Sequence, residues 1–373
     1  SAPPLSKAEA AEQVELRVYN WGEYIANGED GQMDVIEEFE KEYPNIKVNY
    51  NTYATNEEMY AKIKSGSAQY DVLFPSDYMI SRMISENMLE KLDFSNIPNF
   101  SDIMDSFRNL EYDPTNEYSV PYTWGTVGIV YNKTMVEEAP TSWEALWDPE
   151  YTNMILMFDN SRDALGVTLK KLGYSQNTTD HNQLDEAAEE LKKQKSMLQA
   201  YVMDEIFDKM ESGEAALAPY YAGDALTMME ENPDLGFVLP EEGTNRFVDA
   251  MVIPKGVRHK KEAELFINFM LETRIASANI EYLGYSTPQK SVYELQDEEI
   301  TNNGISYPSD EYLEKCDTFI NLPEEENNYM QTLWADIKAS GSTSVWELVF
   351  LLAVIIGLGT VTIVYLRKRK AQR

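Results

Sequence analysis

The chain has 373 residues, with 31 Lys and Arg against 64 Asp and Glu, a net charge of −33. That length accommodates two domains with full cores, and that charge excludes a nucleic-acid surface, which needs clustered cations. The single cysteine, Cys316, excludes an intrachain disulfide, and two histidines in polar surroundings, His181 and His259, give no basis for a zinc site or a Ser-His-Asp triad. No catalytic residue, metal or cofactor is therefore assigned.

Residues 1–13, with Pro3 and Pro4, read as a flexible leader. The chain opens at Ser1 without a Met or an apolar stretch, so any export signal is expected to have been removed or to lie outside this numbering. Residues 16–19 read as a strand, and Met33, Ile36, Phe39 and Tyr43 line one face of a helix that stops at Pro44. A second strand (46–50), a helix (56–64), a third strand (70–74) and a third helix (78–87) follow. This βαβαβ order predicts an α/β protein with a mostly parallel sheet and helices on both faces. The Pro-Tyr-Thr-Trp-Gly run at 121–125 is expected to interrupt the pattern before a strand at 127–131. Helices are predicted at 142–146, 163–172 and 184–195, a strand at 215–221 leading into a helix at 223–231, a strand at 247–254 and a helix at 261–271.

Residues 345–366 are apolar apart from Glu347 and Trp346 near the entrance, and close on Tyr365 before Arg-Lys-Arg-Lys. That length, roughly 20 residues, spans a hydrocarbon core, and the basic flank predicts a single-pass helix with a cytoplasmic tail at 367–373. A tether at 339–344 joins the helix to an acidic body outside the cell.

Five predicted strand ends combine aromatic and polar or acidic residues. The first is Tyr-Asn-Trp-Gly-Glu-Tyr at 19–24; the others lie at 74–78, 158–163, 220–224 and 247–249. Strand ends are where α/β proteins hold ligands. Ser76, Asp77 and Asp224 also fit helix N-caps, and Phe247 also fits a core position. Aromatic faces for methylenes and carboxylates for ammonium groups together suit a linear alkylammonium ligand. A surface glycoside hydrolase also uses carboxylates with aromatic platforms. The same kind of cleft in a binding protein serves other small solutes.

The ordered set of motifs resembles the spermidine/putrescine-binding proteins of polyamine ABC importers from about Leu16 to Ala339. The marks are the motif at 19–24, Ser-Gly-Ser-Ala-Gln-Tyr-Asp-Val-Leu-Phe-Pro-Ser (65–76), Ser-Val-Pro-Tyr-Thr-Trp-Gly (119–125), Thr-Ser-Trp-Glu-Ala-Leu-Trp (141–147), Lys-Leu-Gly-Tyr-Ser-Gln-Asn-Thr-Thr-Asp (171–180) and Gly-Tyr-Ser-Thr-Pro (284–288). The resemblance implies a two-lobed, type II periplasmic-binding-protein fold with two hinge crossings, near 122–125 and 245–248. It implies one lobe of 14–122 with 248–292 and another of 123–247 with 293–338, an ABC permease with a cytoplasmic ATPase as partner, and no chemistry on the ligand. By the same resemblance Trp21, Tyr24, Tyr221, Phe247 and Tyr285 box the methylenes. Asp163 and Asp249 take amino groups, and Ser76 and Tyr78 act at one end. Gly22, Asp77, Asp159 and Asn160 are further candidates, and a polar contact is expected among Glu324, Glu325 and Glu326. Gly22 stands where relatives carry a hydroxyl residue, and Tyr221 and Phe247 stand where they carry Trp.

Overall fold

In the computed structural model, which describes residues 12–341, two α/β lobes share a pair of connecting strands. Strand β1 (Val14–Trp21) lies between β2 (Ile46–Tyr53) and β3 (Val72–Leu73), parallel to both. Helix α1 (Val35–Glu42) and helix α2 (Asn56–Ser65) flank the β2 strand in sequence, and α3 (Asp77–Ser85) follows β3. Local chemistry sets their ends. The Asp34 side chain accepts from the Glu37 N–H at the start of α1, and Thr55 accepts from Glu58 N–H at the start of α2. Gly66 closes α2 in the left-handed region at φ 67°, a conformation that glycine adopts without a Cβ clash.

Strand β4 (Val120–Asn132) corrects the sequence expectation of a break at 121–125. It is one continuous, almost wholly buried strand, because its two halves belong to different sheets. Residues 120–126 pair with a strand at Arg246–Met251, while 127–132 pair with strands at Leu217–Tyr221 and Leu235–Val238. The register shifts between Pro121 and Thr123, which accommodates the missing proline donor as a bulge does.

The second lobe continues with β5 (Ile155–Phe158), α4 (Ser161–Lys171), α5 (His181–Lys195), β6 (Leu198–Val202), α6 (Ile206–Glu211), β7 (Leu217–Tyr221), α7 (Ala222–Glu231) and β8 (Leu235–Val238). Its sheet order is β6-β5-β7-β4-β8. The segment expected as a helix at 142–146 is a 3-10 turn, Trp143–Trp147, started by Ser142. His181 stacks on the Tyr329 ring at 3.9 Å, more engaged than a free surface residue.

Strand β9 (Arg246–Met251) returns the chain beside β4. Its far end meets the β3 region, through reciprocal hydrogen bonds of 3.0 Å between Leu73 and Val252 and a bridge between Ser76 and Asp249. Helix α8 (Lys260–Met270) then packs on α1 through Phe39, Phe266 and Phe269, and α9 (Thr273–Leu283) lies against both. Three short helices follow, α10 (Lys290–Leu295), α11 (Glu298–Thr301) and α12 (Asp310–Leu313), before α13 (Glu324–Ala339) packs on α4 and α5. Among the described residues no helix is long and apolar enough to cross a membrane. The expected span at 345–366, its basic tail and most of the leader lie outside the described residues.

The shared strand tolerates no added bulk at Gly128. A Cβ there would lie 2.4 Å from both the Phe237 ring and the Val238 carbonyl oxygen. Gly128→Ala is expected to cost about 1–3 kcal/mol, as overpacking does, read as a lower urea midpoint by circular dichroism. An unchanged midpoint would contradict the close β4–β8 packing.

Candidate functional site

The ends of β1, β3, β7 and β9 converge on one partly open cavity. Trp21, Tyr24, Ser76, Tyr78, Asp163, Tyr221, Phe247, Asp249 and Tyr285 all line it, together with Gly22 and Asp77. The topology explains the convergence. The bridge between Ser76 and Asp249 lays the β3 exit against β9, and β9 lies beside β4, whose second half carries β7 with Tyr221.

The aromatic wall is contiguous. Tyr221 meets Phe247 edge-on at 5.4 Å, Phe247 meets Tyr285 at 5.9 Å, and Tyr285 meets Tyr24 at 5.2 Å. Trp21 completes it, its indole N–H donating to the Phe74 carbonyl at 2.6 Å and so fixing the ring. Gly125 allows this packing, since a Cβ there would sit 3.0 Å from the Phe247 ring.

Three of the five aspartates in the lining are held by phenols. Tyr24 donates to Asp249 Oδ2 at 2.5 Å, Tyr221 donates to Asp163 Oδ2 at 2.5 Å, and Tyr285 donates to Asp224 Oδ2 at 2.8 Å. Thr123 also bonds the Tyr24 hydroxyl. Asp77 is spent on structure: its oxygens accept from the backbone N–H of Tyr78 at 2.7 Å and of Val248 at 3.2 Å. Ser76 and Tyr78 are both reached by the Asn56 side chain at 3.1 Å, and Tyr78 donates to Glu57 at 2.8 Å. Two buried acceptors in the lining, Asp249 Oδ1 and Asn245 Oδ1, make no hydrogen bond of ordinary geometry among the described residues, although the Ser76 hydroxyl lies near enough to Asp249 to favour its ionised form.

Burial dominates the electrostatics. It pushes the carboxyls of Asp163 and Asp249 up to about 6 and that of Asp77 to about 8. Asp204 is an exposed residue whose carboxyl, partly desolvated on its cleft side and then facing Glu23 and Glu205, is also pushed to about 6, and buried Asp224 is raised well above the ordinary carboxylate range. The cleft is therefore a set of carboxylates short of positive charge. It favours a ligand that brings cationic donors and apolar carbon together.

Not every candidate reaches the cavity. Asp159 is exposed and pairs with Lys338. Asn160 caps α4 instead, accepting from Asp163 N–H at 2.8 Å and donating to Asp163 Oδ2 at 2.9 Å, so it orients an acid rather than lining the cleft. Glu324, Glu325 and Glu326 open α13 away from the cavity, and the C-terminal residue that lines it is Phe319. Glu23 is exposed and accepts from Tyr282 at 2.8 Å. Sequence reasoning missed Asn56, Asp204 and Asn245 as lining residues. Asn56 carried a signal, a polar residue opening a helix, whereas Asp204 follows β6, whose partly buried sequence shows no alternation.

Comparison with known proteins gives the same picture. Residues 67–316 match the family of the bacterial extracellular solute-binding protein. The spermidine/putrescine-binding periplasmic protein of Salmonella typhimurium is 36% identical over 313 residues, covering 83% of this chain and 88% of the relative. The putrescine-binding periplasmic protein SpuD of Pseudomonas aeruginosa is 31% identical, covering 89% and 94%. Among solved structures, one from Listeria monocytogenes superposes with a TM-score of 0.82 at 40% identity, covering 87% of this chain and 99% of that one. The spermidine/putrescine ABC transporter substrate-binding protein PotD of Streptococcus pneumoniae, in complex with calcium and HEPES, gives 0.72 at 40% identity, covering 87% and 98%.

The raised acids predict a stability signature. The Asp249 carboxyl moves from 3.8 to about 6 on folding, so between those values the native state holds more protons than the unfolded chain, and stability falls as pH rises through the window. Asp249→Asn removes that loss. Without ligand, its stability relative to the parent is expected to be on the order of 2 kcal/mol better at pH 8 than at pH 4. Urea unfolding at both pH values measures this, and a difference independent of pH would contradict it.

Proposed function

The chain belongs to the bacterial extracellular solute-binding protein family, among spermidine/putrescine-binding relatives, and we propose that it captures a polyamine for an ABC importer. The observation that carries this reading is an aromatic box whose buried Asp249 is approached only by the neutral hydroxyls of Tyr24 and Ser76, and whose Asn245 Oδ1 has no donor among the described residues. An alkylammonium chain supplies donors to the acceptors and methylenes to the rings. A cation over an aromatic face adds roughly 0.5–2 kcal/mol, the upper end in a water-excluded site.

In this reading Trp21, Tyr24, Tyr221, Phe247 and Tyr285 bound the methylenes. Asp163 and Asp249 pair with ammonium groups, and Ser76 and Tyr78 close one end. The lobes are 14–122 with 248–292 and 123–247 with 293–338, and closure about the shared strands excludes water from the ion pairs. The protein performs no chemistry on its ligand and hands it to permease subunits driven by a cytoplasmic ATPase. The glycoside hydrolase alternative is not favoured, because the relatives are solute-binding proteins. The binding domain works outside the cytoplasmic membrane, as the periplasmic relatives do. We further propose, from sequence, that 345–366 anchors it there in a single pass.

Calorimetric titration of the full chain in detergent tests the ligand class. Spermidine or putrescine is expected to bind, and Asp249→Asn to weaken binding about 100-fold or more by leaving an ammonium unpaired. Absence of binding by either amine would sink the reading. Acidification should also weaken binding. Asp163 and Asp249 protonate below about 6, so affinity is expected to fall roughly tenfold per unpaired carboxyl for each pH unit below that value. Affinity independent of pH between 7.5 and 5 would contradict these assignments. Deleting 345–373 is expected to release the protein from membrane fractions, and retention in the membrane would refute the anchor.

A further inference from the structure

We propose that Asp204 is a third ammonium acceptor of this cleft, admitted by the missing side chain of Gly22, and that this pair makes the site prefer a triamine to a diamine. The inference rests on the polyamine reading above and deepens it.

Gly22 is not demanded by its backbone, since it is absent from the positive-φ glycines. It is demanded by space. A Cβ at Gly22 would lie 2.0 Å from Asp204 Oδ2 and 2.9 Å from Asp204 Cγ, and the three nearest atoms it would meet all belong to that carboxylate group. The two residues come from opposite lobes: Gly22 follows β1, and Asp204 follows β6. The carboxylate thus occupies the place where a side chain at 22 would stand, beside Trp21, and both residues line the cavity.

The other acids show why Asp204 matters. Asp77 has both oxygens on backbone N–H groups, and Asp224 accepts the Tyr285 hydroxyl. Asp163 and Asp249 each have one oxygen engaged by a phenol, and Asp249 Oδ1 is buried without a hydrogen bond of ordinary geometry among the described residues. The influences on Asp204 are desolvation, Glu23 and Glu205, with no donor among them, while one side of the residue stays open to solvent. Asp163, Asp249 and Asp204 are therefore three carboxylates with capacity for a ligand ammonium. All three line the one cleft from different elements: Asp163 in the first turn of α4, Asp249 in β9 and Asp204 after β6. A diamine satisfies two of them. A triamine reaches the third, and the charge-assisted hydrogen bond gained there is about twice as strong as a neutral one.

Titration of the full chain in detergent with spermidine and putrescine provides the test. Asp204→Asn is expected to weaken spermidine about tenfold while moving putrescine less than about threefold. Gly22→Ser displaces the carboxylate without removing it, and is expected to give the same selective loss with an unchanged melting temperature. The double variant Gly22→Ser/Asp204→Asn is expected to be no worse than the poorer single, the non-additivity of one shared interaction. An unchanged spermidine-to-putrescine ratio in Asp204→Asn overturns this inference alone. No heat with either amine in the parent protein overturns it together with the polyamine reading.

Discussion

Three phenols hold three carboxylates around the cavity: Tyr24 on Asp249, Tyr221 on Asp163 and Tyr285 on Asp224. The rest of the site depends on this arrangement. A phenol gives one hydrogen bond, which fixes the acid's rotamer and partly offsets its burial, but it brings no positive charge. The carboxylates remain under-compensated, and the site is poised for a cation. The same tyrosines present their rings to the cavity, so a single residue type supplies both the orientation of the acid and the apolar surface beside it. The Tyr285–Asp224 bond also joins the β9 side of the molecule to α7, where a Cβ on Gly223 would lie 2.3 Å from the Tyr285 ring.

One protein cation stands near these acids. Arg162 is buried beside Asp163, with Nη2 donating to Asn177 and to the Ile320 carbonyl, and its guanidinium lies 4.6 Å from the Phe319 ring centroid and 5.3 Å from that of Tyr78. Burial lowers its affinity for the proton, and the neighbouring Tyr78, Asp77, Glu57 and Asp163 oppose that effect. A fixed positive charge beside Asp163 makes the set of acids asymmetric: Asp163 is partly compensated by Arg162, while no protein cation figures among the influences on Asp249 or Asp204.

Much of the site was readable because its residues sit at strand ends flanked by turn chemistry, which a sequence displays locally. Trp21, Ser76 and Tyr221 each close or follow a strand, and Phe247 opens one. What was not readable came from long-range packing. The 121–125 run looked like an interruption, yet pairing with β9 on one side and β7 with β8 on the other carries the strand through Pro121 and Gly125. Asp159 and Asn160 are adjacent and both polar, and only the start of α4 decides that one caps the helix while the other turns out to Lys338. Asp204 belongs to the site solely because Gly22, about 180 residues earlier, leaves it room. No local pattern encodes such a pair.

Counting protons on binding tests the central claim most directly, because a ligand cation that compensates these acids must drive their protons off. At pH 6, Asp163, Asp249 and Asp204 are each close to half protonated. Spermidine titrations at that pH, in buffers of differing ionisation enthalpy, are predicted to show release of about one to two protons per ligand, falling toward zero at pH 8. Zero release at pH 6, or proton uptake, would contradict the view that the bound cation supplies the charge these carboxylates lack.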